Sequence, residues 1–387
     1  MNIPREKNQF LLKWVVKYPK FAYTFSTIIY FLLFIVFLNW VTVDMLVYMD
    51  WFQTIITRGS AAFTDYYYSY SPASMYLFIL STLLPFRSYI DIKLIALPII
   101  PISGLIISRL VFTLTHDRVS AWLGYTLTIL LPTIVVNAAL WGQTDIYYSL
   151  MSLLCVFFII RKKPYAAMIT WGISLALKAP ALFLGPFLLI MLIKQRIPWK
   201  TIWIPPVLYF SFSIPLILLG APIPNTLGIY ASQAGDFHSL CMNCASIWSF
   251  FPNVNYDTGV MVGIGLAFMA ALIYMALVYN KLTLIDPGQI ILAAVLSAIL
   301  MPFLLPKMHD RYFYFAEMLS ISLIFIDWRY FLITLLLQIS TGNGYWHFLA
   351  NDSSILTTRF SASINLVILA ILFWTIYRPH LKPISSG

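Results

Sequence analysis

Apolar runs long enough to cross a membrane recur along the whole of this chain. A span needs about 20 apolar residues. In lipid each backbone N–H and C=O must find a partner within the protein, so such runs fold as helices. Ala22–Val43, Lys93–Thr113, Val119–Ala138, Ile146–Ile160, Ile202–Leu219, Gly259–Tyr279, Gln289–Leu305, Tyr312–Ile326, Tyr330–Ser340 and Ile355–Ile376 read this way. Tyr165–Ile193 is too long for one ordinary helix and carries Lys178-Ala179-Pro180 near its middle. The residue before a proline is pushed from helical dihedrals, so this run reads as two short spans. Met75–Phe86 is too short to span and reads as an interfacial helix within a first outer loop, 44–92. A second polar loop covers 221–256. The expectation is an all-α polytopic membrane protein, one bundle of about twelve transmembrane helices over residues 1–387. Charged residues make up only 10% of the chain, against roughly 25% in soluble domains. The ~10-residue alternating segments of a β-barrel are missing.

The net charge of +10 would suit a nucleic-acid partner, but the cations lie mostly in short loops between apolar runs. That is the positive-inside pattern, and it points to a lipid bilayer and no nucleic acid. Arg5, Lys7, Lys13, Lys17 and Lys20 open the chain with no small-residue cleavage site after the first run, which reads as a retained helix. With both termini in the cytoplasm, Arg118, Arg161–Lys163, Lys194–Lys200, Lys281, Arg329 and Arg378–Lys382 all face inward. Asp44, Asp50, Asp65, Asp91, Asp145, Asp236, Asp257, Asp310 and Asp352 then lie outside, nine of the fourteen acids. Acids hardly set topology, so their gathering on one side is a functional signal. The implied location is the cell membrane, with the ER lumen as the equivalent face in a eukaryote.

The residues with chemical capacity fall on that outer side. Asp44 ends the first run, where partial desolvation strengthens a carboxylate as a base; an interfacial anchor that stops a helix would look the same. Asp65-Tyr-Tyr-Tyr-Ser-Tyr70-Ser-Pro72 reads equally as an aromatic belt or as a sugar-stacking wall. Trp141-Gly-Gln143-Thr-Asp145 brings together an indole, an amide and a carboxylate around a glycine that permits a tight turn. Lys178 is flanked by apolar residues, and an intramembrane cation marks a site by default, unless it snorkels to the surface. Lys307, His309 and Arg311, with Asp310 among them, put three cations on the outside, against the positive-inside bias. Arginine grips phosphate with a planar fork and lysine with a point charge, so an anionic ligand is the expected partner. Cys241-x-x-Cys244 is one pair only, read as a local disulfide or two free thiols rather than a metal site. No compact metal-ligand cluster is evident. Asp44 and Asp145 are the pair a divalent ion could share.

Four features in this order resemble the GT-C superfamily of polyprenyl-phosphate-sugar-dependent glycosyltransferases, most of all bacterial relatives of the GPI-anchor second mannosyltransferase. They are Asp44 followed by Trp51, Gly59 and Tyr70-Ser-Pro72; Trp141-Gly-Gln-Thr-Asp145; Lys178-Ala-Pro180; and Lys307-Met-His-Asp-Arg-Tyr312. The family pattern has two prolines where this chain has Ser71-Pro72. The resemblance implies a polyprenyl-phosphate-linked hexose donor, mannose first, with a glycan, glycolipid or protein as acceptor. It also implies an inverting displacement with one carboxylate base; no cofactor is expected, because no compact metal-ligand cluster is evident. On that reading Asp44 is the catalytic base, with Asp50 its rival beside Trp51. Lys178, His309, Arg311 and Lys307 bind the donor phosphate as cations or donors. Asp65, Tyr70, Trp141, Gln143, Asp145 and Asp310 hold sugar or acceptor. A secondary transporter or flippase of lipid-linked sugars is the rival class, since it also uses broken helices and intramembrane charge. It should carry internal repeats, and none is evident.

Overall fold

The computed structural model describes residues 17–236, 238–350 and 356–378. The basic residues Arg5, Lys7 and Lys13, the acid Asp352 and the last cations of the chain lie outside them. In chain order the helices are α1 (Pro19–Leu38), α2 (Val43–Arg58), α3 (Pro72–Ser81), α4 (Ser88–Leu94), α5 (Ile99–Thr115), α6 (Arg118–Ile129) and α7 (Pro132–Val135). There follow α8 (Asp145–Ile160), α9 (Pro164–Leu177), α10 (Gly185–Ile193), α11 (Ile204–Leu218), α12 (Ile223–Leu227) and α13 (Ile229–Asp236). The last five are α14 (Tyr256–Lys281), α15 (Pro287–Leu304), α16 (Tyr314–Ile324), α17 (Phe331–Leu349) and α18 (Thr358–Tyr377). Among the described residues the only strands are β1 (Cys241–Met242) and β2 (Met308–His309).

Among the described residues six helical stretches are long and apolar enough to cross a membrane, or seven with the bent pair α6 and Pro132–Trp141 counted as one span. The sequence count of about twelve is not reached. Five further apolar helices, among them α8, α9 and α16, have 10–17 residues and fall short of a full crossing. Proline and glycine divide several of these runs. The break expected at Lys178-Ala179-Pro180 separates α9 from a 3-10 turn, Ala179–Leu184, before α10. Pro132 opens the second limb of a 46° bend. The first run also ends early. α1 stops at Leu38, and Asp44 lies in the first turn of the separate helix α2, capped by Thr42, rather than at the end of α1.

α15 is the hub of the bundle, buried along almost all of its length. α1, α11 and α14 expose large apolar side chains such as Leu32, Val36, Leu218, Met261 and Phe268, as lipid-facing helices do. α14 packs through Gly259, Gly263, Ala267 and Ala271, small residues spaced four apart. A Cβ on Gly263 would meet Trp248 and Pro306, so α14 presses on the loops that carry β1 and β2. Those strands pair in parallel, Cys241 with Met308 and Met242 with His309. The Cys241–Cys244 disulfide closes the turn after β1, one of the two readings its spacing left open.

Between α7 and α8 the chain makes a π-helical turn, Val136–Trp141, and then Gly142 at φ 78°. Positive φ is costly for any residue with a Cβ. A Cβ here would also strike the Met45 side chain of α2. Gly142→Ala should therefore lower stability by about 1–3 kcal/mol, read as a fall in Tm of the detergent-purified protein. Adding Met45→Ala should restore only the part due to collision. A Gly142→Ala protein as stable as wild type would remove the argument.

Candidate functional site

The ends of α2, α8 and α9 converge with the loop after α15. α8 and α9 form an antiparallel hairpin, pinned by Ser152 Oγ to Ser174 Oγ at 2.8 Å. The start of α8 thus meets the end of α9, and Asp145 Oδ1 lies 2.6 Å from Lys178 Nζ. Asp145 Oδ2 accepts from Asn137 Nδ2 at 3.1 Å and faces Arg311 Nε at 3.6 Å. Arg311 in turn points NH1 at Asp44 Oδ2, 4.0 Å away. The Asp44 oxygen also accepts from Trp141 Nε1 at 3.0 Å and Gln143 Nε2 at 2.5 Å. Two carboxylates therefore stand on either side of one guanidinium.

Burial separates their tasks. The Asp145 side chain has no exposed surface, whereas 28% of the Asp44 side chain is open. Lys178 and Arg311 are each 12% open. Trp141 and Gln143 are buried. The indole stacks on Phe348 at 4.5 Å, stands edge-on to Tyr345 at 5.2 Å and has the Arg311 guanidinium over it at 5.4 Å. Gln143 Oε1 accepts from Tyr48 at 3.0 Å and from Tyr70 at 3.3 Å. The sequence reading assigned Trp141, Gln143 and Asp145 to sugar or acceptor. In the structure their binding atoms and faces are taken by other side chains, and they form the layer that aims Asp44, Lys178 and Arg311.

The other expected residues divide. Tyr70 belongs to the cluster, with Lys178 over its ring at 5.5 Å. Asp65 does not: it pairs with Arg58 at 3.1 Å on the surface. Tyr66 and Tyr68 turn inward, Tyr68 edge-on to Trp51, so half of the aromatic run is packing rather than an open wall, while Tyr67 stays exposed. Asp50 is exposed and accepts from Tyr67 at 3.2 Å. Lys307, at φ 62°, turns its ammonium over the Tyr256 ring. Asp310 is buried beneath Arg311, Oδ1 3.8 Å from NH1. Burial pushes it up to about 7, against the pull of Arg311. Burial, then Arg311 and Lys178, push His309 well below its ordinary value. The imidazole is a neutral group at pH 7 and not the third cation expected of it. Among the described residues no group of three or more His, Cys, Asp or Glu side chains is placed so that it could hold a metal ion. Asp44 and Asp145 have Arg311 between them.

Several contributors escaped the sequence reading. Tyr48 stands one turn beyond Asp44 on α2, a spacing that could have flagged it. Burial, then Tyr70, holds its phenol well above its ordinary value, so it remains a neutral donor. Lys93 is almost wholly buried in α4 and directs Nζ at the carbonyls of Phe37, Leu38, Trp40 and Leu140, at 3.4, 3.2, 2.5 and 3.0 Å. One ammonium thus joins the exit of α1 to the residue before Trp141. A scan against protein-family models gives no match for this chain, and no curated protein matches it significantly.

Two outcomes follow from this geometry. Lys93→Met keeps the apolar stem but strips the donor from buried carbonyls, at about 1–3 kcal/mol for each group left unsatisfied. Its Tm should fall well below that of wild type, and an unchanged Tm would contradict the clamp. Asp310 has a folded-state value above its ordinary 3.8, so it favours the folded state most when protonated. That contribution is full below about pH 4 and lost as pH rises through about 7. Relative to Asp310→Asn, wild type should lose Tm between about pH 4 and 7 and then run parallel. Parallel curves throughout would rule this out.

Proposed function

We propose that this protein is an integral-membrane glycosyltransferase. It moves one hexose, mannose in the first instance, from a polyprenyl-phosphate donor to an acceptor hydroxyl on the extracytoplasmic face. The observation that carries this reading is the pairing of one partly open carboxylate, Asp44, with two braced cations, Lys178 and Arg311. The four motifs that resemble the glycosyltransferase superfamily supply all three residues. The Cys241–Cys244 disulfide beside the cations suits an oxidising, extracytoplasmic compartment.

In the reaction, Asp44 takes the proton of the acceptor hydroxyl as its oxygen attacks the anomeric carbon. The new C–O bond forms on the face opposite the phosphate, and the old C–O bond breaks with inversion. The leaving polyprenyl phosphate changes from a singly charged diester to a doubly charged monoester. Lys178 and Arg311 meet that added charge, held ready by Asp145 and Asn137, so little reorganisation is needed in the transition state. Trp141 and Gln143 leave Asp44 one Oδ for the acceptor, since both bind Oδ2. The neutral His309 offers hydrogen bonding beside Arg311. Protonated Asp44 then returns its proton to water.

The test is transfer of labelled mannose from polyprenyl-phosphate mannose to a membrane-lipid acceptor pool, by wild type and by Asp44→Asn. General-base help is worth about 10²–10⁴-fold, and the variant should lose that much turnover while retaining donor binding. Transfer by both proteins would move the base elsewhere. The transporter reading has one observation in its favour. Polar groups continue from the site into the bundle, with Asn137 reaching Tyr345 at 3.3 Å and buried Glu317 bonded to Thr133 and Gln338. Movement of donor into liposomes without any sugar transfer would favour that class.

A further inference from the structure

α8 begins at the candidate site and is 16 residues long, roughly 24 Å by helical rise. At that far end a groove of about 540 Å³ opens between α5 and the end of α8. Its walls are apolar and aromatic: Ile106, Phe112, Leu154, Phe157 and Phe158. Its polar lining is Thr113 and three cations, Arg109, Arg161 and Lys163, with no acid. The turn after α8 builds this rim. Arg161 N donates to Phe157 O, and Lys163 N folds back to Phe158 O at 2.8 Å with Lys162 at φ 55°. Among the described residues none of the three cations makes an ion pair within the protein.

We propose that this groove is a binding site for an anionic phospholipid of the bilayer. Cations at the cytoplasmic ends of helices are ordinary in membrane proteins. Here they instead surround a cavity of ligand size with aromatic walls. The chemistry matches a phosphate headgroup joined to acyl chains. Two guanidinium forks and an ammonium meet the phosphate, and the phenylalanine walls take the chains. Zwitterionic lipids share the chains but not the net charge, so charge complementarity selects the occupant. The site is separate from glycosyl transfer and does not depend on it.

The experiment uses the full chain in detergent, with phosphatidylglycerol or phosphatidylcholine added, and reads bound lipid by native mass spectrometry together with Tm. Phosphatidylglycerol should stay bound and raise Tm, and phosphatidylcholine should do neither. Each cation near a lipid surface is worth about 1 kcal/mol, so Arg109→Gln/Arg161→Gln/Lys163→Gln should weaken retention more than tenfold. Lys281→Gln/Arg378→Gln, which removes two cations elsewhere at that end of the bundle, should leave it unchanged. If the triple variant fails to fold, Arg161→Gln alone should weaken retention about fivefold. Equal retention of both lipids, equal loss in the control variant, or the same Tm rise from inorganic phosphate alone would overturn the proposal.

Discussion

A carboxylate with no exposed surface governs this structure. Asp145 sits in a nearly dry interior, where an unpaired charge costs several kcal/mol. It is tolerable only because three separate elements reach it: Lys178 from the end of α9, Arg311 from the loop after α15, and Asn137 from the turn before α8. Each of those elements departs from regular helix where it does so. α9 gives way to an extended Lys178 before Pro180, the chain beyond α15 leaves helix for β2, and the approach to α8 is a π-turn closed by a left-handed glycine. The irregularities are the means by which one buried anion collects its partners. Non-helical backbone at membrane depth is tolerated where protein surrounds it, as it does here.

This arrangement has two layers. The inner layer, Asp145, Asn137, Trp141 and Gln143, is buried and held by other side chains. The outer layer, Asp44, Lys178 and Arg311, is partly open and owes its orientation to the inner one. A site built this way keeps opposed charges about 4 Å apart without collapse, because each is held from behind. Asp44 cannot swing on to Arg311 without leaving the indole and amide donors. Lys93 performs the same service one level further back, fixing both chain segments from which Asp44 and its donors emerge.

Much of this was legible in the sequence, and for identifiable reasons. Apolar runs announce helices. Pro180 announces a break, and polar residues clustered at run ends announce the side where Asp44, Asp145, Lys178 and Arg311 meet. What stayed hidden was which face each side chain turns. Trp141 and Asp145 look like ligand groups in a five-residue motif, yet Tyr345 and Phe348 of α17 cover the indole, and only the tertiary fold brings them there. Asp65 looks equivalent to Tyr70, but the 3-10 turn Gly59–Phe63 sends it outward to Arg58. Lys93 passed for a residue that opens a span, since a lysine at a helix end ordinarily snorkels to water. Its four carbonyl acceptors come from segments more than forty residues distant.

Two of the helices that form the site are short. α8 and α9 have 16 and 14 residues, roughly 24 and 21 Å by helical rise, against a hydrocarbon thickness of about 30 Å. α14, at 26 residues, is ten residues longer than α8 and twelve longer than α9. The same shortness explains why a count of spans by length falls below a count of apolar runs. α8 and α9, which carry Asp145 and Lys178 at their ends, are among the apolar helices too short to count as a full crossing.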